Sequence, residues 1–148
     1  MNEPKPLEAS DIKSISKALL DWLRTCPELP KNVKFSYQYL EEKDESMSLH
    51  TLSGAKKSVQ YVDGAYEGIY PFALYYRSSP DSTNKRIKCT ELLDAIGSWV
   101  DEQSVYPELG GNRVINSISQ ITTSVLVKRF PNGYEDYMTT FNLVFERS

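Results

Sequence analysis

Residues Tyr61 to Arg77 read YVDGAYEGIYPFALYYR, with five tyrosines and a phenylalanine gathered around an Asp63-Gly64 pair. Asp-Gly is turn chemistry: glycine takes positive φ at no steric cost, and aspartate bonds its own backbone two residues on. Aromatic side chains suit the pleated surface of a strand. The spacing therefore predicts a turn and then a long strand, Tyr70 to Arg77, with Phe72, Leu74 and Tyr76 on one face. Pro71 has no N–H to donate, which predicts that part of this strand lies at a sheet edge or a bulge. The stretch holds no group suited to catalysis. A run this aromatic serves contact, with a core or with another protein.

Upstream, Ser58 to Val62 reads as a short strand, and Met47, Leu49 and Thr51 suggest another that closes at Ser53-Gly54. Lys34 to Leu40 alternates strictly, Phe35, Tyr37 and Tyr39 against Ser36 and Gln38, the pattern of a half-buried strand. The charged EEKDES segment after it is a loop. Ile12, Ile15, Leu19, Trp22 and Leu23 recur at helical spacing and form one apolar stripe. Ser10 and Asp11 offer an N-cap and a favourable charge at the start of that helix. Thr25-Cys26-Pro27 ends it, because proline disfavours helical geometry in the residue before it. Residues 1–10 read as flexible.

Downstream, SSPDSTN can cap a second helix carrying Ile87, Leu92, Leu93, Ile96, Trp99 and Val100 and ending around Asp101 to Gln103. Gly97 weakens this helix by roughly 1 kcal/mol relative to alanine, so close packing is expected there. Val114 to Phe130 is rich in β-branched residues, Pro131-Asn132-Gly133 makes a tight turn, and Tyr134 to Arg147 returns with Tyr137, Thr139, Phe141, Leu143 and Phe145 facing one way. That is a long terminal hairpin. Strands joined by short turns pair mainly antiparallel, which predicts a single α+β domain over 1–148 with two helices packed on one sheet face.

Composition narrows the function. A chain of 148 residues with 40% hydrophobic and 25% charged side chains is an ordinary globular domain. Its formal charge of −3 gives no general electrostatic reason to bind nucleic acid. Lys56-Lys57 and Lys85-Arg86-Lys88 read as solvated surface. The opening MNEPKPLEAS has no signal-peptide pattern, and no apolar run approaches the ~20 residues of a membrane span, so a soluble, intracellular protein is expected. Cys26 and Cys89 read as buried thiols acting as small apolar groups.

Catalytic chemistry is hard to assemble. His50 is the one histidine and lies in a predicted strand, which favours a packing or surface role. No serine sits in a GxSxG-like setting. Cys26 lies at a helix C-terminus, where the dipole opposes a thiolate. Glu41-Glu42, Asp44-Glu45 and Asp101-Glu102 match no calcium-loop spacing, and Gly110-Gly111 matches no phosphate loop. RNA-binding sheets combine aromatics with basic residues, whereas Tyr61 to Tyr76 holds two acids and no Lys or Arg. No catalytic residue, cofactor or metal is expected. Tyrosine suits protein interfaces, having apolar area and a hydroxyl together.

Three features, in order along the chain, resemble the small tail-terminator proteins of long-tailed bacteriophages, often labelled minor capsid proteins in phages and prophages of Gram-positive bacteria. They are ISKALLDWLRTCP leading into FSYQYL; KKSVQYVDGAYEGIYPFALYYR, whose "Y-x-D-G, then Y-P-F-A-L-Y-Y-R" pattern is the most specific part; and TELLDAIGSWVDEQ followed by a hairpin ending in FNLVFER. The resemblance spans Ile12 to Arg147. It implies an α+β subunit that closes into a hexameric ring on the last ring of the tail tube, stops its growth and prepares head–tail joining. The implied partners are further copies of itself, the tail-tube protein and a head-completion protein, with no membrane and no specific nucleic acid. The implied location is the head-proximal end of the virion tail, after assembly in the bacterial cytoplasm. An acidic surface also suits a bore through which DNA passes. A ring needs head-to-tail contacts. The hairpin from Gly54 to Gly68 is the candidate arm, with Tyr61, Asp63, Tyr66 and Tyr70 as candidate subunit-interface residues. A head–tail connector or tail-completion protein, or a non-viral protein-interaction module, would fit the same composition.

Overall fold

Strand β4, Tyr66–Ser78, organises the molecule. In the computed structural model, which describes residues 5–42 and 44–148, the other elements are α1 (Ala9–Leu23), β1 (Lys34–Tyr37), β2 (Ser46–Thr51), β3 (Lys56–Gln60), α2 (Thr83–Glu102), β5 (Arg113–Arg129) and β6 (Glu135–Arg147). The sheet order is β1-β2-β4-β6-β5, with β3 also paired to β4. β6 runs antiparallel along the whole of β4, from Tyr66↔Arg147 to Ser78↔Glu135. The opposite side of β4 is shared: β2 takes Phe72 to Arg77 and β3 takes Tyr66 to Ile69.

Pro71 sits where that side changes hands. It lies inside the sheet instead of at an edge or bulge, but it falls between the β3 and β2 ladders. Its carbonyl still accepts from Leu52 N at 2.9 Å. The missing N–H therefore costs no ladder bond there.

Both helices cover one face, α1 over the β1–β2 side and α2 over the β5–β6 side. Trp22 and Trp99 meet between them with ring centroids 5.0 Å apart. Beneath lie Tyr70, Phe72 and Leu74 of β4 and Phe141, Leu143 and Phe145 of β6, all essentially without solvent exposure. Phe72 stacks on Phe141 at 5.0 Å. Each such apolar side chain contributes about 1.5–3 kcal/mol through burial. The β6 alternation reads as expected, and the α+β architecture with helices against a mostly antiparallel sheet is the one the pattern implies.

Several local expectations change. The first strand pair is parallel, Lys34↔Ser46 to Tyr37↔Leu49. Gln38 takes φ 51°, which ends β1 before Tyr39 and turns the chain back toward the start of the strand. β3 begins at Lys56 and ends at Gln60, two residues ahead of its expected place, and β4 begins at Tyr66. Ser10 is the second residue of α1 and not its cap; Glu8 holds that position. Ile87 is half exposed and outside the apolar stripe of α2. Ser82 caps α2 as expected, its Oγ accepting from Lys85 N. The flexible start is confined by contacts from Lys5 on: Lys57 N donates to Lys5 O at 2.8 Å, and Leu7 is buried in the core. Residues 1–4 of that expected flexible segment, and Lys43 of the acidic loop, lie outside the described residues.

Candidate functional site

The β3–β4 turn has the chemistry that Asp63-Gly64 dictates. Gly64 takes φ +93°, Asp63 accepts from Ala65 N at 3.0 Å, and Tyr61 N donates to Ala65 O at 2.9 Å. Tyr61 is half exposed, Val62 fully exposed and Asp63 exposed, so this part of the candidate arm faces solvent.

Tyr66 and Tyr70 do not. Tyr70 is fully buried and its hydroxyl bridges Ser16 Oγ and Thr51 Oγ1, each at 2.7 Å. Tyr66 is 5% exposed and donates to Asp11 Oδ2. The structure thus separates the four candidate residues into an exposed pair and an interior pair. Once β4 is known to begin at Tyr66, period-two alternation puts Tyr66 and Tyr70 on the face of Phe72, Leu74 and Tyr76. Parity was the available signal.

Around Tyr66 is a buried ionic cluster that sequence reasoning did not find. Asp11, fully buried in the first turn of α1, binds Arg113 Nε at 2.6 Å and Arg147 Nη1 at 3.1 Å. Arg147 also reaches Tyr66 Oη at 3.0 Å and Glu8 at 2.8 Å, and Arg113 reaches Ser10 and Ser14. Burial alone would raise the Asp11 carboxyl. The Tyr66 hydroxyl and the two guanidinium groups outweigh it and hold the group below its ordinary value. The carboxylate, the phenol and the two guanidinium groups pair with one another, so the cluster acts as a clamp between α1 and the ends of β4, β5 and β6.

A second cluster closes the opposite end of the sheet. Glu135 binds Arg86 and Arg129, each at 3.0 Å, and Arg77 grips Asp136 through two bonds of 2.6 and 2.8 Å. His50 rests edge-on against Tyr75 and bonds Ser48. Burial pushes its pKa down. Cys26 and Cys89 are buried free thiols, and burial pushes both up. Among the described residues, no group of three His, Cys, Asp or Glu side chains is placed to hold a metal, and no helix is long and apolar enough to cross a membrane.

Besides the β3–β4 turn, exposed or half-buried apolar side chains gather at the two flanks of the sheet. On the β1 flank, α1 buries Ile15, Ser16, Leu19 and Leu23, while Ile12 and Leu20 are half-buried beside Tyr37. Ile12, Ser16, Leu20 and Tyr37 line a groove of about 640 Å³ with Lys13 and Lys17 at its rim. On the β5 flank, Ile121, Val125, Leu126 and Val127 are each between 39% and 56% exposed, Leu126 opposite Tyr137 on the helix-covered face and Val125 opposite Met138 on the other. Two α2 carboxylates occupy outward N–H groups of this strand: Asp101 accepts from Gln120 N at 2.9 Å and Asp94 from Ser124 N at 2.8 Å. The β-branched density of β5 signals the second surface in the sequence. The groove has no such signal, because it depends on where Tyr37 falls beside α1.

No protein-family model matches the chain, and no curated protein matches it. Among the solved structures similar to the chain, one matches over 92% of this chain and 92% of its own, at 14% identity and a TM-score of 0.43.

Proposed function

We propose that this chain is a structural protein that assembles as a ring on the end of a phage tail tube, terminates its growth and prepares it for joining to the head. The observation that carries the reading is that partly exposed apolar side chains gather at both flanks of one sheet, in the groove beside Tyr37 and along Ile121 to Val127. A subunit that closes head-to-tail by rotation needs two different contact surfaces, one on each side, and large exposed apolar patches mark interaction sites. The order of helix, Tyr-rich strand and terminal hairpin adds the resemblance to tail terminators. The ring copies, a tail-tube protein and a head-completion protein are the partners this role requires.

The mechanism is geometric. A ring that matches the last tube ring on one side, and offers no equivalent sockets on the other, ends polymerisation without chemistry. The test is to add purified protein to growing tails of a related phage and measure tube length by electron microscopy. Tubes of one fixed length with a ring at one end support the proposal. Overgrown tubes with no ring overturn it, and binding at the portal side instead would assign the chain to a connector.

A further inference from the structure

We infer that Asp94 and Asp101 of α2 guard the outer edge of β5 against strand pairing with a second copy of this chain; the guard goes beyond the ring reading and does not rest on it. Composition is the first support. Val114 to Val127, VINSISQITTSVLV, is an uninterrupted run with no charged side chain, no proline and no glycine. Strands of this kind pair and stack most readily. Sheet order places the run on an edge, since β5 ends the series β1-β2-β4-β6-β5 and pairs with β6 alone. An edge offers unpaired N–H and C=O groups to any strand of like composition, and β5 of another copy is such a strand. The basic residues at its ends do little to repel one. Arg113 binds Asp11, Arg129 binds Glu135, and Lys128 lies over the Phe130 ring.

The protection comes from α2. Asp101 accepts from Gln120 N at 2.9 Å, Asp94 accepts from Ser124 N at 2.8 Å, and Ser124 Oγ donates to Thr90 O at 2.8 Å. Asp94 and Asp101 stand two helical turns apart, about 10 Å. Gln120 and Ser124 stand about 13 Å apart on an ideal strand, and the register shifts between Gln120 and Val125 shorten that distance. Two carboxylates of one helix therefore meet two amides of one strand. A neighbouring strand would need the same two N–H groups, and its carbonyl oxygens would have to displace carboxylates that can only accept.

The opposite side of the sheet is closed by other means. β2 carries β1, only four residues long, whose Phe35 carbonyl is held by Arg24 Nε at 3.1 Å and Nη2 at 2.6 Å. β3 carries residues 5–7, with Lys57 N donating to Lys5 O and with Pro6, which has no N–H, in the middle. Short strands and proline are ordinary protection for an edge. The long, uncharged β5 has neither, so its protection falls to the two aspartates.

The test compares full-length Asp94→Ala/Asp101→Ala with the parent and with Glu91→Ala/Glu102→Ala, which removes the same charge from the same helix without touching the Gln120 and Ser124 amides. Sedimentation velocity and amide hydrogen exchange are read over a wide range of concentration. In dilute solution the Gln120 and Ser124 amides of the aspartate variant should exchange about tenfold faster than in the glutamate control. At higher concentration the aspartate variant should form a dimer that the control lacks, with protection returning along residues 117–127. Ile121→Lys added to it should abolish that dimer. Sedimentation identical to the control, a dimer protected outside β5, or a parent already paired through β5 would each overturn the inference. If the double variant does not fold by circular dichroism, Asp101→Ala alone, at an exposed position, carries the test. Faster exchange at Gln120 with concentration-dependent protection of β5 supports the guard, and exchange unchanged from the parent overturns it. Rings on tail tubes are scored separately with the parent, so the terminator reading stands or falls on its own.

Discussion

Asp11 and Tyr61 show how differently two polar side chains of this chain are used. Asp11 has no solvent exposure and three partners, so removing its carboxylate leaves Arg113 buried without its counter-charge. Breaking a buried pair from one side costs about 3–5 kcal/mol, and Asp11→Ala should lower the urea midpoint accordingly. Tyr61→Phe, at a half-exposed turn position, should stay within about 0.5 kcal/mol of the parent. The pH dependence has a definite sign. The folded Asp11 carboxyl lies below its ordinary value, as does Glu135 beside Arg129 and Arg86. Their stabilisation is complete above the unfolded carboxylate range, about pH 4, and is lost as pH falls through the lower folded values. Urea midpoints should therefore hold at neutral pH and fall in acid, with Asp11→Asn flattening the fall; an unchanged acid slope in that variant would remove Asp11 from the account. Sequence placed Asp11 in the first turn of a helix, as a favourable charge there. It could not supply Arg113, because a partner 102 residues away leaves no local pattern.

At the scale of elements, periodicity was most informative where one face is fully covered. Both helices, the terminal hairpin and the buried parity of β6 follow from it. It was least informative where a single backbone angle decides, as at Gln38, whose positive φ ends β1 and makes the first pair parallel. Gly97 is a case where the local signal was correct and its cause lay elsewhere. A Cβ there would come within 2.5 Å of the Gln120 side chain of β5, which in turn bonds Thr139 Oγ1 at 2.8 Å. Alanine would gain roughly 1 kcal/mol of helix propensity. It would also displace the Gln120 amide from a buried partner, at a cost of about 1–3 kcal/mol. Gly97→Ala alone should therefore destabilise slightly. In a Gln120→Ala background the same change should stabilise by up to about 1 kcal/mol, and the cycle should show a coupling of order 1–2 kcal/mol. Additive effects would mean that helix and strand are not held by this contact.

The whole molecule is tied at its ends. The first described residue, Lys5, accepts from Lys57 N; Glu8 bonds Arg147; and Ser148 N donates to Asn112 O at 3.1 Å. One apolar cluster runs from Leu7 to Phe145 without division, and the two tryptophans that report on it sit where α1 meets α2. A helix held only by its own propensity would fray separately, but α1 is fixed by the Asp11 clamp at one end and by Trp22 against Trp99 and Tyr106 at the other. Unfolding should then be a single transition, with tryptophan fluorescence and far-UV circular dichroism superimposing across a urea titration. Arg147→Ala should shift both curves together to lower urea, because this penultimate residue holds Glu8, Asp11 and Tyr66 at once. Fluorescence changing ahead of circular dichroism would show that α1 detaches first. The groove beside Tyr37 would then open in the same step, since α1 forms its other wall.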